Sequence, residues 1–594
     1  MQSSHLILWP LAEDLFAEAK RIKLLCVARG NMDYKHYYRL IATGLFCLET
    51  LLQYEQLNVN VEIRTRFRMA EVIFHETNNL QSAEQILNKG IILAQRKHEN
   101  VEIKFAMQHL LVRILTQTSP KTAKILLKSC IAEAEELCFL NWVYIFCFLQ
   151  FNILSCSTCW DVEHATRLSV LSKILLISER QGDHIIYIIA SLLEIHLKIE
   201  MGDYLSAKKF LDNLSAMQTT FNDISILNLI KMVFNVFLNI MQGCGDSAAS
   251  ELKELHNALD TFAQYDSNHS FQDFIELSLN SNDSSKLVIS WFSKQQLFVY
   301  GYLLAGICHL PDYSSSKAEV FLDEGLKILK YNLIYDLANN LRTNRNLGWF
   351  DITREICLIY YCFALILRSN FDKAFEYIQN LEKHSSSFNT DTKAFYMLLK
   401  GIYAQFTGQL NIALKAYNLI PTTVQTFNLL GSLNSVLIFQ GNKFQDKEKA
   451  YEILNNIKSL CQSSNYIQLR FAWDLINSSA KHDVFHSKDY LSSIISAFKK
   501  HANNQLRVIA SVTLCYYFII HSESEQAEKM LISAYLLSKN AENDIWAFMS
   551  GKLLEELMKR KNKRIKAEKQ SELNLKHKER ISNIFNNAYT ISVD

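Results

Sequence analysis

The sequence predicts an all-α fold, a solenoid of stacked helical hairpins, and three observations carry that reading. Punctuation is scarce: four prolines and sixteen glycines in 594 residues suit long helices joined by short turns, where sheets would need many more turn residues. Apolar residues, 49% of the chain, recur mainly at helical spacing. A small residue, a bulky one four later and a third seven later return along the chain at near-equal steps, the mark of a repeat array.

The pattern is clearest in Glu62 to Gln95, EIRTRFRMAEVIFHETNNLQSAEQILNKGIILAQ. Phe67, Ala70, Ile73 and Phe74 form one apolar stripe, Asn78 and Asn79 interrupt it, and a second run carries Ala83, Leu87 and Gly90. Small residues on one face let the second helix press closely on the first, as in a tetratricopeptide (TPR) hairpin. One hairpin cannot bury its own apolar face, so others must stack on it.

Residues 1–60 read as N-terminal capping helices, amphipathic from Ala12 to Gln56 with a turn at Asn31 and Asp33. Residues 61–265 form the N-terminal half of the superhelix. The second-helix signature appears at Ala83, Leu87, Gly90; Ala123, Leu127, Cys130; Ala165, Ser169, Ser172; Ala207, Leu211, Leu214; and Ala248, Leu252, Leu255, in steps of 40, 42, 42 and 41 residues. Pro120, the Gly202-Asp203-Tyr204 run and the stretch Gly243 to Asp246 fall in the gaps, where turns belong.

Residues 266–286, DSNHSFQDFIELSLNSNDSSK, are rich in Ser, Asn and Asp. They read as an insertion between two halves, a surface loop first and a hinge or binding loop as alternatives. Residues 287–558 resume the pattern at Ala318, Leu322, Gly325; Ala374, Ile378, Leu381; Ala413, Tyr417, Ile420; Ala450, Leu454, Ile457; and Ala527, Leu531, Ala534. A degenerate unit around Ser493 and Ala497 fills the longest step, for roughly eleven degenerate repeats in all. Trp546 to Met558 caps the stack.

Residues 559–594 form a basic C-terminal tail, with ten basic against three acidic residues between Lys559 and Arg580. It reads as a solvated helix. The sharper alternatives are a nuclear-import signal at Lys559, Arg560, Lys561, Lys563, Arg564 and Lys566, or weak attachment to nucleic acid.

Charge is balanced, 62 basic against 60 acidic, so no global field favours nucleic acid and direct DNA binding is expected to be absent or weak. Cys47, Cys130, Cys357 and Cys515 lie on apolar helical faces, as small core residues of a reducing compartment do. Cys156 and Cys159 make a lone C-x-x-C without a second pair. The apolar runs from Leu140 to Cys156 and from Ile224 to Met241 carry polar interruptions, and the N-terminus lacks a basic start; a soluble intracellular protein is expected.

No phosphate-binding loop or nucleophile elbow occurs, and Gly243-Cys244-Gly245 follows no strand. His75 and Glu76 lack the second histidine of a zinc-protease helix, and His482 and His486 have no third ligand nearby. No metal, cofactor or catalytic residue is expected, and an open solenoid offers a groove instead of a closed cleft.

In such arrays the first helix of each hairpin lines the inner wall. Arg64, Arg66, Arg68, Glu71, His75, Trp142, Tyr144, Tyr187, Glu194, Tyr300 and Tyr403 occupy first-helix positions and are the candidate partner-binding residues. Packing between repeats is the competing role for the aromatics. A long groove fits a long extended segment, which must make many contacts to offset its lost chain entropy.

Several stretches resemble one family. IRTRFRMAEVIFHETNNLQSAEQILNKGIILAQ, EIKFAMQHLL, TAKILLKSCIAEAEEL, WFSKQQLFVYGYL and KMLISAYLLSKNAENDIWAFMSGKLLEEL are similar, in the same order, to the TPR subunits of cohesin loading complexes, the MAU-type sister-chromatid cohesion factors. The resemblance spans about Val61 to Leu557 and lies in register more than in an invariant motif. It implies a nuclear, chromatin-associated scaffold that wraps the extended N-terminal region of a large HEAT-repeat loader subunit. It also implies indirect engagement of cohesin, which supplies the ATP hydrolysis, and a chromatin receptor on the outer surface. A TPR subunit of the anaphase-promoting complex is the alternative with the same architecture. An RNA-reading helical repeat would show a uniform step and a basic groove.

Overall fold

Several helices begin where the sequence supplies a cap. The side chains of Asn58, Asn79, Asn389, Asp446 and Asn543 each accept a hydrogen bond from a backbone N–H of the first helical turn. Several end in a left-handed residue, at Gly182, Gly202, Gly243 and Gly408, where glycine carries no steric penalty. Cys138, Ser369, Glu542 and Asn562 take the same conformation without being glycine.

The computed structural model describes residues 5–28, 35–53, 57–96, 101–155, 160–216, 226–265, 275–278, 286–289, 292, 294–311, 316–339, 344–441, 446–464, 466–480, 492, 495–496, 498, 503–520, 524–587 and 591. The turn at Asn31 and Asp33, Cys156 and Cys159, His482 and His486, and Ser493 and Ala497 lie outside them.

Among the described residues there are 25 α-helices. The first twelve are α1 (His5–Ala28), α2 (Lys35–Leu52), α3 (Val59–Glu76), α4 (Leu80–Gln95), α5 (Val101–Thr118), α6 (Pro120–Glu136), α7 (Leu140–Ser155), α8 (Trp160–Gln181), α9 (His184–Glu200), α10 (Tyr204–Ala216), α11 (Ile226–Met241) and α12 (Gly245–Tyr265). Strands β1 (Ile275–Ser278) and β2 (Lys286–Ile289) follow, then α13 (Lys294–His309), α14 (Lys317–Asn339), α15 (Asn344–Leu367), α16 (Phe371–Glu382), α17 (Thr390–Phe406), α18 (Leu410–Asn418), α19 (Gln425–Gln440), α20 (Lys447–Ser463) and α21 (Ile467–Ala480). The chain closes with α22 (Asn504–Ile520), α23 (Ser524–Asn540), α24 (Asp544–Arg560) and α25 (Arg564–Asn587). The all-α array of helical hairpins predicted from the sequence is what the chain forms.

The chain divides into two compact units: residues 1–197 with 274–289 and 334–342, and residues 198–273 with 290–333 and 343–594. In the first unit, α1 and α2 form a leading hairpin. Gly44 lets the Phe16 ring lie where a side chain would stand, 2.4 Å from an added Cβ. Ala83, Leu87 and Gly90 on α4, and Ala123, Leu127 and Cys130 on α6, are buried. The third occurrence of the signature is shifted. Ala165, Ser169 and Ser172 face solvent, and the buried face of α8 is Arg167, Leu171 and Ile174. An arginine stands where a small residue was sought, its guanidinium 4.9 Å from the Phe151 ring centroid.

The polar stretch read as a loop contains β1, which pairs antiparallel with β2, Ile275 opposite Ile289 and Ser278 opposite Lys286. Alternating Ile275 and Leu277 amid polar neighbours is the short strand signal hidden there.

In the second unit every signature returns to the interior: Ala207, Ala248, Ala318, Ala374, Ala413, Ala450 and Ala527 are buried with their bulky partners. Some polar groups trapped between helices are paired. Lys400 bonds Glu382 at 2.5 Å, lies 5.0 Å from the Tyr396 ring, and shares Glu382 with the Tyr396 hydroxyl.

The basic tail is corrected to a docked helix. Ala567, Gln570 and Asn574 of α25 are buried against α24, and Asn574 donates to the buried Glu555 at 2.9 Å. Lys561 and Lys563 both bond Glu528 at 2.7 Å, and Asp544 accepts from Arg580 and lies 2.7 Å from His577 Nδ1. Its acidic partners sit on other helices, so composition alone reads the segment as solvated.

Candidate partner-binding wall

Alternate residues on a helix point some 200° apart, so Arg64, Arg66 and Arg68 do not share one face. Arg64 is exposed. Arg66 pairs with Glu62 at 2.7 Å on the side that meets α4. Arg68 grips both carboxylate oxygens of Glu13 on α1, at 2.7 and 2.9 Å, and Glu71 at 2.6 Å. Arg66, Arg68 and Glu71 are therefore tied into the fold, Arg68 fastening the leading hairpin to α3.

His75 opens a basic and aromatic strip that continues onto α5. It is water-accessible, yet burial by its surroundings and then the Arg113 charge hold its pKa below the ordinary value. Arg113 places its guanidinium 5.0 Å from the Phe74 centroid. His109, one turn earlier on α5, is pushed down to about 4 by burial and by Arg113, so it is neutral at pH 7. Its ring lies 6.5 Å from Phe146, which packs at 5.6 Å against the half-buried Trp142. His109 and Arg113 were missed by sequence reasoning. Their signal is a pair of basic residues at i and i+4 in the largely apolar run from Phe105 to Leu115.

The other predicted residues divide. Tyr144, 1% exposed, donates from its hydroxyl to Asp183 at 2.9 Å and serves the packing of α7 on the next hairpin. Tyr403, 0% exposed, packs between Phe371 and Phe375. Glu194 is also buried. Burial leaves these three no surface to present to a partner, and sequence alone does not tell the two sides of an apolar first helix apart. Tyr187 is half-buried. Tyr300 accepts a hydrogen bond from Trp349 Nε1 at 2.9 Å, their rings 5.5 Å apart.

Of the six residues proposed for nuclear import, Lys559 bonds Glu555, Arg560 donates to the Ile519 carbonyl, and Lys561 and Lys563 hold Glu528. Arg564 and Lys566 are exposed at the start of α25. Burial pushes the thiols of Cys130, Cys357 and Cys515 up to about 12, as inert core residues. Among the described residues, no group of three or more His, Cys, Asp or Glu is placed to hold a metal ion, and no helix is long and apolar enough to cross a membrane.

A hairpin array with half-exposed aromatic and cationic side chains on its first helices defines a class: a TPR-type binding scaffold. The chain belongs to the cohesin loading factor family, whose model matches residues 4–565. It is similar to the MAU2 chromatid cohesion factor homolog of Aedes aegypti, 19% identical over 524 residues covering 83% of this chain and 78% of that protein. The homolog of Drosophila willistoni is 21% identical over 527 residues, covering 83% and 73%. Among solved structures, Scc4 in complex with Scc2n shares the fold, with a TM-score of 0.69 at 13% identity over 98% of this chain and 99% of that one. The family match ends at the start of α25.

Proposed function

We propose that this chain is the scaffold subunit of a cohesin loader, and that it sheathes an extended N-terminal segment of a large HEAT-repeat loader subunit. The observation that carries this is the family match over nearly the whole chain, from residue 4 to 565. The solved neighbour of the same fold is itself in complex with Scc2n. The chain then acts without catalysis, stabilising its partner and helping it load cohesin onto chromatin in the nucleus, while cohesin hydrolyses ATP.

We place the contact in the first unit on Arg64, His75, His109, Arg113, Trp142 and Tyr187. Cationic and aromatic side chains with part of their surface open are the usual anchors of an interface. Affinity purification from nuclear extract, followed by stoichiometry, tests the reading. A large HEAT-repeat subunit at one-to-one is expected; its absence overturns the proposal.

A further inference from the structure

The ten basic residues between Lys559 and Arg580 divide by what they touch. Lys559 bonds Glu555 at 2.6 Å, Arg560 donates to the Ile519 carbonyl at 3.0 Å, Lys561 and Lys563 hold Glu528, and Arg580 reaches Asp544 at 3.3 Å. The others, Arg564, Lys566, Lys569, Lys576 and Lys578 of α25, are exposed, and among the described residues no carboxylate pairs with them.

Helical geometry sorts these charges. Ala567, Gln570 and Asn574 fix the docked side of α25. Lys566, Lys569, Lys576 and Arg580, spaced i, i+3, i+10 and i+14, fall on one flank about a quarter-turn from that side, with Leu573 among them. Glu568, Glu572 and Glu579 fall together on the outward crown, about a further quarter-turn away. From Lys566 to Arg580 the flank therefore carries cations without an interleaved acid over about 21 Å of helix. Helix α23, which meets α25 through Glu528 and through the Tyr535–His577 ring contact at 6.1 Å, adds exposed Lys529 and Lys539, with Glu525 exposed in its first turn.

Like charges at i, i+3 and i, i+4, as in Lys566 with Lys569 and Lys576 with Arg580, repel in the free helix, and a polyanion laid along the flank relieves them.

We propose that this flank of α25 is a contact site for a nucleic-acid backbone, a weak and sequence-independent hold on duplex DNA. A row of cations neutralises phosphates and releases their counterions, which is the whole of non-specific binding. An acidic polypeptide is the competing polyanion. In the role proposed above the chain works on chromatin, where duplex DNA is the polyanion at hand, and the inference rests on that reading for its occupant. The net charge of +2 supplies no long-range field, so the hold is local to the flank. The family match ends at residue 565, so the flank lies beyond it.

The assay is fluorescence anisotropy of the full chain with a labelled duplex of about 20 base pairs, titrated at several salt concentrations. Contacts to about three or four phosphates give a slope of log K against log[salt] of about −3, a loss of about 40- to 150-fold between about 50 and 200 mM salt. The triple variant Lys566→Gln, Lys569→Gln, Lys576→Gln, all at exposed positions, should bring the slope to about −1 and weaken binding at about 50 mM salt by at least about tenfold. Glu572→Lys on the crown should tighten binding several-fold, a gain that misfolding does not produce. A chain that does not bind the duplex at about 50 mM salt, or a triple variant with the wild-type slope, overturns the site. An acidic peptide of matched charge that binds more tightly than the duplex overturns DNA as its occupant. A chain that binds the duplex through the flank but purifies without a large loader subunit keeps the site and loses the loader reading.

Discussion

Gly401→Ala tests the close packing on which the hairpin fold rests. A methyl group on Gly401 of α17 lies 2.2, 2.6 and 2.8 Å from Cε1, Cδ1 and Cζ of Tyr417, the bulky member of its signature on α18. Tyr417 is buried and its hydroxyl donates to Gln405 at 2.7 Å, so the ring has little freedom to swing away. Overpacking of this kind costs about 1–3 kcal/mol. Alanine's better helix propensity returns about 1 kcal/mol. The 2.2 Å approach to a buried ring puts the cost in the upper part of that range, about 2–3 kcal/mol, so a net destabilisation of roughly 1–2 kcal/mol is expected. Urea unfolding followed by far-UV circular dichroism gives the stability, and hydrogen exchange should localise the loss to α17 and α18. Adding Tyr417→Leu should relieve part of the clash. A variant as stable as wild type, or stabilised as an open helix glycine would be, refutes the packing argument.

Two further predictions concern a buried acid and the last helix. Burial raises Glu355 of α15 to about 7, so the folded chain holds its proton where the unfolded chain has lost it, and stability falls as pH rises from the ordinary carboxylate value to about 7. Glu355→Gln should therefore raise Tm more at about pH 8 than at about pH 4, by roughly 1–3 kcal/mol of added stability, and an equal effect at both would contradict the assignment. Ending the chain after Arg560 should lower Tm and promote aggregation, because it uncovers Gly551 and leaves Glu555 without Asn574. A truncated chain with wild-type Tm would restore the reading of α25 as a solvated tail.

The hairpin array was legible because close packing demands the small residue at the start of each signature, and Ala83, Ala123, Ala374 and Ala527 supply it where needed. It failed on α8 because Arg167 occupies the equivalent position and stacks on Phe151, which no small-residue pattern reveals. The turns at Ser369 and Glu542 gave no signal, since their left-handed conformation is imposed by the helices they join. The contact between those turns, in which the Asp544 N–H donates to Ser369 Oγ, was invisible for a related reason: it pairs segments 175 residues apart, beyond any local period.

The binding wall was only half legible. His75 and Trp142 were placed on open or half-open faces, but Tyr144 and Tyr403 have the same residue type and a similar helical setting and lie in the core. Arg66 and Arg68 were read as a cluster because they are close in sequence, whereas the helix turns them toward different partners, Glu62 and Glu13.

Titration calorimetry of the full chain with the N-terminal segment of the large loader subunit tests the central claim most directly. Wild type should bind at one-to-one. Arg113→Gln, which removes the cation beside Phe74, and Trp142→Ala should each weaken binding by about 5- to 30-fold with far-UV circular dichroism unchanged. No binding by the wild type, or full affinity in both variants, would contradict the account.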